Sequence, residues 1–203
     1  TTFYKNKLLI YMDFNSFILA TSIVALAEMG DKTQLLSLML AAKYKTHHWA
    51  IIGGIFIATI LNHAIAAWLG SAISQWLSPD ALRWILGVGF IALGLWLLIP
   101  DKLDGDEDTP LTHNAWKVFT ITTSLFFIAE MGDKTQVATV ALGARYDDLI
   151  AVVMGTTVGM MLANAPAVWL GQKFTTALPI KWVHAIAAII FIAIGIATIF
   201  LYK

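Results

Sequence analysis

Ala27-Glu28-Met29-Gly30-Asp31-Lys32-Thr33-Gln34 returns unchanged as Ala129-Glu130-Met131-Gly132-Asp133-Lys134-Thr135-Gln136. From Glu28 to Glu130 the shift is 102 residues. Each copy lies inside a long apolar stretch, where a single ionisable side chain is already costly, and each copy carries three. The likeness extends outward from the octapeptide. Phe17, Thr21 and Ser22 match Phe119, Thr123 and Ser124, and Lys43-Tyr44 matches Arg145-Tyr146. After a one-residue adjustment, Trp68-Leu69-Gly70 matches Trp169-Leu170-Gly171, and Phe90 to Gly94 matches Phe191 to Gly195. The chain is a tandem repeat.

The composition sets the class. Of 203 residues, 59% are hydrophobic and 13% charged, and the mean hydropathy is +0.75. A soluble domain has about 25% charged residues, so these values point to a polytopic membrane protein. The formal net charge is zero, which leaves no basic footprint for nucleic acid. Cysteine is absent, excluding disulfides, thiolate metal sites and a cysteine nucleophile.

Six segments are long and apolar enough to cross a hydrocarbon core: 14–42, 49–76, 81–99, 115–144, 149–172 and 180–201. None alternates as a barrel strand does, so all six are expected to be helices. The fold class is an all-α membrane protein of two three-helix repeats, 14–99 and 115–203, after an N-terminal tail of residues 1–13. Three is an odd number, so tandem copies enter the membrane from opposite sides, as an inverted repeat. Trp49, Trp76, Trp84, Trp96, Trp116 and Trp182 fall near segment ends, where an aromatic belt belongs. Lysine and arginine divide almost evenly between the two faces and do not decide the orientation. No secretory leader is expected in residues 1–13, and Met12 is a candidate natural start. The linker 100–114 alternates Asp104, Asp106 and Asp108, but Thr109 stands where a calcium loop needs glycine. It reads as a solvated acidic linker.

On a continuous helix Glu28 and Asp31 share a face, as do Glu130 and Asp133, and two such helices crossing would gather four carboxylates. Gly30 and Gly132 allow either close backbone approach or local unwinding that exposes carbonyl oxygens. Gln34 and Gln136 add amide oxygens, although ligation by Gln34 requires a bend at Gly30. Thr33 and Thr135 add hydroxyls. Hard oxygen donors of this kind suit Mg²⁺, Ca²⁺ or Mn²⁺. Lys32 and Lys134 each stand four residues after their glutamate, within reach of it. Four carboxylates and two lysines leave a net charge of −2, which one divalent cation neutralises. Emptied of metal, so crowded a site accepts protons, so metal and protons compete for it. An isolated Glu–Lys pair in an apolar helix is often only a structural ion pair; its repetition in both halves argues for a shared site.

Lesser candidates surround the motif. Asn62 or His63 is the repeat partner of Asn164, and all three are expected to hydrogen-bond to the carboxylates or between helices. Pro166 loosens the helix around Asn164. Gly53-Gly54, Gly87-x-Gly89 and Gly155-x-x-x-Gly159 suit close helix packing. Met29, Met131, Met160 and Met161 are read as lipid-facing or packing residues. His47, His48 and His113 fall in loops and carry no assigned role.

With Glu28-Met29-Gly30-Asp31-Lys32-Thr33 and its second copy, Glu130 to Thr135, the chain resembles the Gdt-type cation transporter family over residues 14–201. That resemblance implies export of Mn²⁺ or Ca²⁺ from the cytosol, against protons, with the motif carboxylates as ligands. It implies no enzyme activity and no resident cofactor. The short linker suits the bacterial members and an inner-membrane location. A manganese exporter is the leading expectation, a Ca²⁺/H⁺ antiporter the alternative, and a passive channel the third. The sequence leaves the oligomeric state open.

Overall fold

Apolar runs that must satisfy their own backbone in lipid can do so only as helices or closed barrels. The computed structural model of the chain describes residues 13–99, 110–171 and 179–201, and the regular structure within them is all helical. Among the described residues eight α-helices follow in order: α1 (Phe14–Glu28), α2 (Lys32–Lys43), α3 (His48–Ser74), α4 (Pro79–Leu97), α5 (Ala115–Glu130), α6 (Lys134–Arg145), α7 (Leu149–Leu170) and α8 (Ile180–Leu201). Four of them, α3, α4, α7 and α8, are long and apolar enough to cross a membrane. The N-terminal tail, the acidic run of the linker and the connection before α8 lie outside the described residues.

Two expected segments, 14–42 and 115–144, are each interrupted at the motif glycine. The segment becomes α1 and α2 in the first half, and α5 and α6 in the second. The physical reason is local: Gly30 has φ 86° and Gly132 φ 75°, in the left-handed region that glycine enters without penalty. Of the two uses open to these glycines, unwinding is the one realised. Glu28 and Asp31 therefore no longer share a helical face.

Helix starts carry the side chains that suit them. Asp13 accepts from the Asn15 N–H, Ser78 from Ala81, Asn114 from Trp116 and Lys117, and Asp148 from Ala151. The Ser16 hydroxyl also donates to Asp13, and this bond holds the Asp13 carboxyl below the usual carboxylate range. Pro166 is accommodated inside α7, whose 22 residues run on past it.

Packing follows the repeat. α1 lies on α7 as α5 lies on α3, and α3 lies on α6 as α7 lies on α2. Glycines mark the closest approaches. A Cβ on Gly155 would fall 2.6 Å from the Phe17 carbonyl oxygen, and one on Gly54 would fall 2.9 Å from that of Phe119. Gly54 and Gly155 stand in matching places, and so do Phe119 and Phe17. Gly159 is equally tight against α1, whereas a Cβ on Gly53 would make only ordinary contact with the Phe119 ring and one on Gly89 would meet none of the described residues within 4 Å. α4 and α8 pack on each other through Gly87 and Gly195, each within 3.0 Å of the other's carbonyl oxygen once a Cβ is added. Phe90 and Phe191, also matching residues, meet in the same contact at 6.1 Å. The six tryptophans expected in the aromatic belt are all exposed, consistent with an outer rim.

Candidate cation site

Both breaks are built alike. Glu28 closes α1, Met29 leaves the helix at ψ 114°, Gly30 turns, and Asp31 caps α2 by accepting from the Lys32 N–H at 2.6 Å. Glu130, Met131 at ψ 118°, Gly132 and Asp133 repeat the course ahead of α6. The Asp31 and Asp133 N–H groups each donate to the preceding glutamate carbonyl at 3.1 Å, closing the turns. The two glutamines then reach backward. Gln34 Oε1 accepts from the Gly30 N–H at 3.0 Å, and Gln136 Oε1 accepts from the Gly132 N–H at 2.7 Å. The amide oxygens expected to point at a metal each accept from a glycine of the breaks, because unwinding frees backbone N–H groups from their intrahelical acceptors.

Glu28, Glu130 and Asp133 are buried, and one carboxylate oxygen from each lies within 4.8 Å of the others. This trio draws on both motif copies. Asp31, also buried, stands outside it. The Thr135 hydroxyl donates to Glu130 Oε2 at 2.9 Å. Asn164 Nδ2 donates to Glu28 Oε1 at 3.1 Å, and the Ser37 hydroxyl donates to Asn164 Oδ1 at 2.7 Å. Glu28 Oε2 and Glu130 Oε1 are buried with no hydrogen-bond partner among the described residues. Buried anionic oxygens in that condition call for a cation or a proton.

The lysines do not pair as helical spacing suggested. Lys32 Nζ bridges to Asp133 Oδ1 of the opposite motif at 3.0 Å, because the break at Gly30 turns α2 away from the Glu28 face. Lys134 Nζ donates to the Ile99 carbonyl at 2.9 Å, beside the Trp96 ring. Of the two candidate partners of Asn164, Asn62 accepts from Gln136 Nε2 at 3.4 Å and donates to the Phe127 carbonyl at 3.1 Å, while the register that sets Gly54 against Gly155 sets His63 against Asn164. His63 is fully buried, and neither ring nitrogen has a hydrogen-bond partner among the described residues.

Two contributors escaped the sequence reading. Ser37 orients Asn164, and its counterpart Thr139 would have been visible as a repeated hydroxyl. His184 on α8 lies with Nε2 at 2.6 Å from the Met29 carbonyl oxygen. A carbonyl only accepts, so Nε2 carries the proton in this bond. Its matching residue is Arg83, and a polar side chain at both places inside apolar helices was the available signal.

Acidic groups gathered at two helix breaks inside an apolar helical protein define the class: a membrane transporter of cations. The chain belongs to the GDT1 family, described as divalent cation/proton antiporters, whose pattern matches residues 16–105 and 118–202. It is 48% identical to a Vibrio cholerae protein named "Putative manganese exporter", covering 90% of each chain. It is 25% identical to GDT1-like protein 5 of Arabidopsis thaliana, covering 90% of this chain and 94% of that one. With GDT1-like protein 4 of Oryza sativa the identity is 21%, over 92% and 74%. No solved structure gives a significant match.

Proposed function

We propose that the protein exports Mn²⁺ from the cytoplasm in exchange for protons, holding the ion between Glu28, Glu130 and Asp133. The observation that carries this is the buried trio, drawn from both motifs, with two carboxylate oxygens lacking partners. Lys32 already answers Asp133, so Glu28 and Glu130 leave two charges to be met. One divalent cation or two protons meets them, which gives exchange at one ion for two protons. Asp31 completes the set of four motif carboxylates around the ion, and Asn164 holds Glu28 in place. The two broken elements complete six membrane passes, arranged as two inverted repeats across a bacterial inner membrane. The matched packing of α1 on α7 and α5 on α3 supports that arrangement.

Ion uptake into proteoliposomes tests the reading. Wild-type protein is expected to move Mn²⁺ at a rate set by an imposed pH gradient, and Glu28→Gln and Asp133→Asn to lose that transport. Indifference to the gradient would remove proton exchange, and full transport by both variants would remove the site. Calcium uptake that manganese does not inhibit would replace Mn²⁺ by Ca²⁺, which the same hard oxygens accept.

A further inference from the structure

The two halves share a sequence pattern but not one packing arrangement. Along α6, helix α4 closes a narrow apolar crevice of about 220 Å³ in which Leu82, Leu86 and Gly89 face Val137, Val140 and Ala141. The matching surface of α2 is Leu35, Leu38 and Met39, and the helix that matches α4 is α8. Among the described residues α8 does not pack along α2 as α4 does along α6. The α2 surface instead lines an open groove of about 520 Å³ that reaches Ala42, Trp169 and Gly171.

Helix α8 is engaged elsewhere. It lies against the first break, where His184 holds the Met29 carbonyl and Ile180 covers Gly30 so closely that a Cβ there would fall 2.5 Å from Ile180 Cγ2. Among the described residues the second break has no such cover: none of them lies within 4 Å of a Cβ built on Gly132, and Met131 is 60% exposed. Arg83, the counterpart of His184, is turned to Asp80 at 3.2 Å, and its Nε is buried without a hydrogen-bond partner. Both residues are N–H donors able to hold a motif carbonyl. Only one does so here.

We propose that α4 and α8 rock as one unit between two symmetry-related seats, with His184 and Arg83 as alternating latches on the two motif breaks. This rests on the transporter reading above and deepens it. In the seat seen here α4 closes on α6, the first break is latched by His184, and the second is open. In the other seat α8 closes on α2 and fills the 520 Å³ groove, while Arg83 takes the Met131 carbonyl and His184 releases Met29. The unit stays intact because α4 and α8 meet backbone to backbone at Gly87 and Gly195. A site between inverted repeats is opened to each side in turn by rocking of this kind. Arg83 and His184 are positioning residues, which act on the ion only through the breaks they hold.

The chain lacks cysteine, so introduced thiols report without background. Leu82→Cys with Ala141→Cys marks the seat seen here, and Val183→Cys with Met39→Cys marks its symmetry mate. The full-length protein in liposomes is treated with a short, reducible thiol cross-linker, and Mn²⁺ uptake is measured before treatment, after it and after reduction. Both pairs are expected to cross-link, each abolishing uptake that reduction restores, while the single-cysteine variants transport throughout. Cross-linking of Leu82–Ala141 without Val183–Met39 would overturn the second seat. Cross-linking of both with uptake intact would overturn the rocking. Absence of uptake in the untreated wild type would instead overturn the transporter reading, and this proposal with it. As a check on the latches, Arg83→Lys is expected to preserve the yield of the Val183–Met39 cross-link, and Arg83→Ala to lower it relative to Leu82–Ala141. An unchanged ratio in Arg83→Ala would remove Arg83 from the device.

Discussion

Lys32 shows how the charge balance is struck at the level of one residue. Its ammonium crosses from the first motif to Asp133 of the second, so it both neutralises a buried carboxylate and ties the two halves together. Breaking a buried ion pair by removing one partner costs about 3–5 kcal/mol. Lys32 is 29% exposed, so screening should bring Lys32→Met to about 2 kcal/mol. The stranded Asp133 should then gain from a cation, so the thermal unfolding temperature in detergent should fall without Mn²⁺ and largely recover with it. A fall that Mn²⁺ leaves unchanged would mean that Asp133 lies apart from the ion. Asn164→Ala makes a companion test. Losing the donor to Glu28 Oε1 should weaken Mn²⁺ binding roughly tenfold to a hundredfold, as loss of a group that orients a ligand commonly does.

The breaks are the elements that matter most, and they separate two costs of a side chain at glycine. Gly132→Ala meets none of the described residues and should cost only the left-handed penalty of about 1–2 kcal/mol. Gly30→Ala carries the same penalty and also drives a methyl into Ile180. It should therefore be the more destabilising of the two, and Ile180→Ala should recover part of the difference. Equal unfolding temperatures for the two alanine variants would contradict the asymmetric closure of the breaks. Gln34→Ala removes an acceptor from the Gly30 N–H and a donor to the Ala163 carbonyl. A loss of about 0.5–2 kcal/mol is expected, in the range of a helix cap, with transport reduced because the break is no longer braced.

For the whole molecule, stability and motion meet at the contact between α4 and α8. Gly195→Val places branched carbon where the Gly87 carbonyl already sits, at 2.5 Å from a built Cβ. Overpacking of this kind costs about 1–3 kcal/mol. Transport should fall further than ion binding, since the trio of carboxylates lies on other helices, and Mn²⁺ binding measured beside uptake would show the split. Equal losses in both would mean that the pair is only scaffold.

Much of this protein was legible before any coordinates. Apolar length forced helices, since a backbone in lipid has few other ways to satisfy its hydrogen bonds. The repeated octapeptide marked the acidic residues, because buried charge is too costly to occur twice by accident of composition. The glycines announced a possible break, although a helical reading of the same letters put Glu28 and Asp31 on one face. Tertiary structure decided what pattern could not. It sent Lys32 across to Asp133, set Asn62 against Gln136 and the Phe127 carbonyl, and turned Gln34 and Gln136 to the backbone. It also brought His184 from 155 residues away onto the Met29 carbonyl. The reason is common to all of these. Near-identical motifs carry near-identical local instructions, and only packing against different neighbours can make one break closed and the other open.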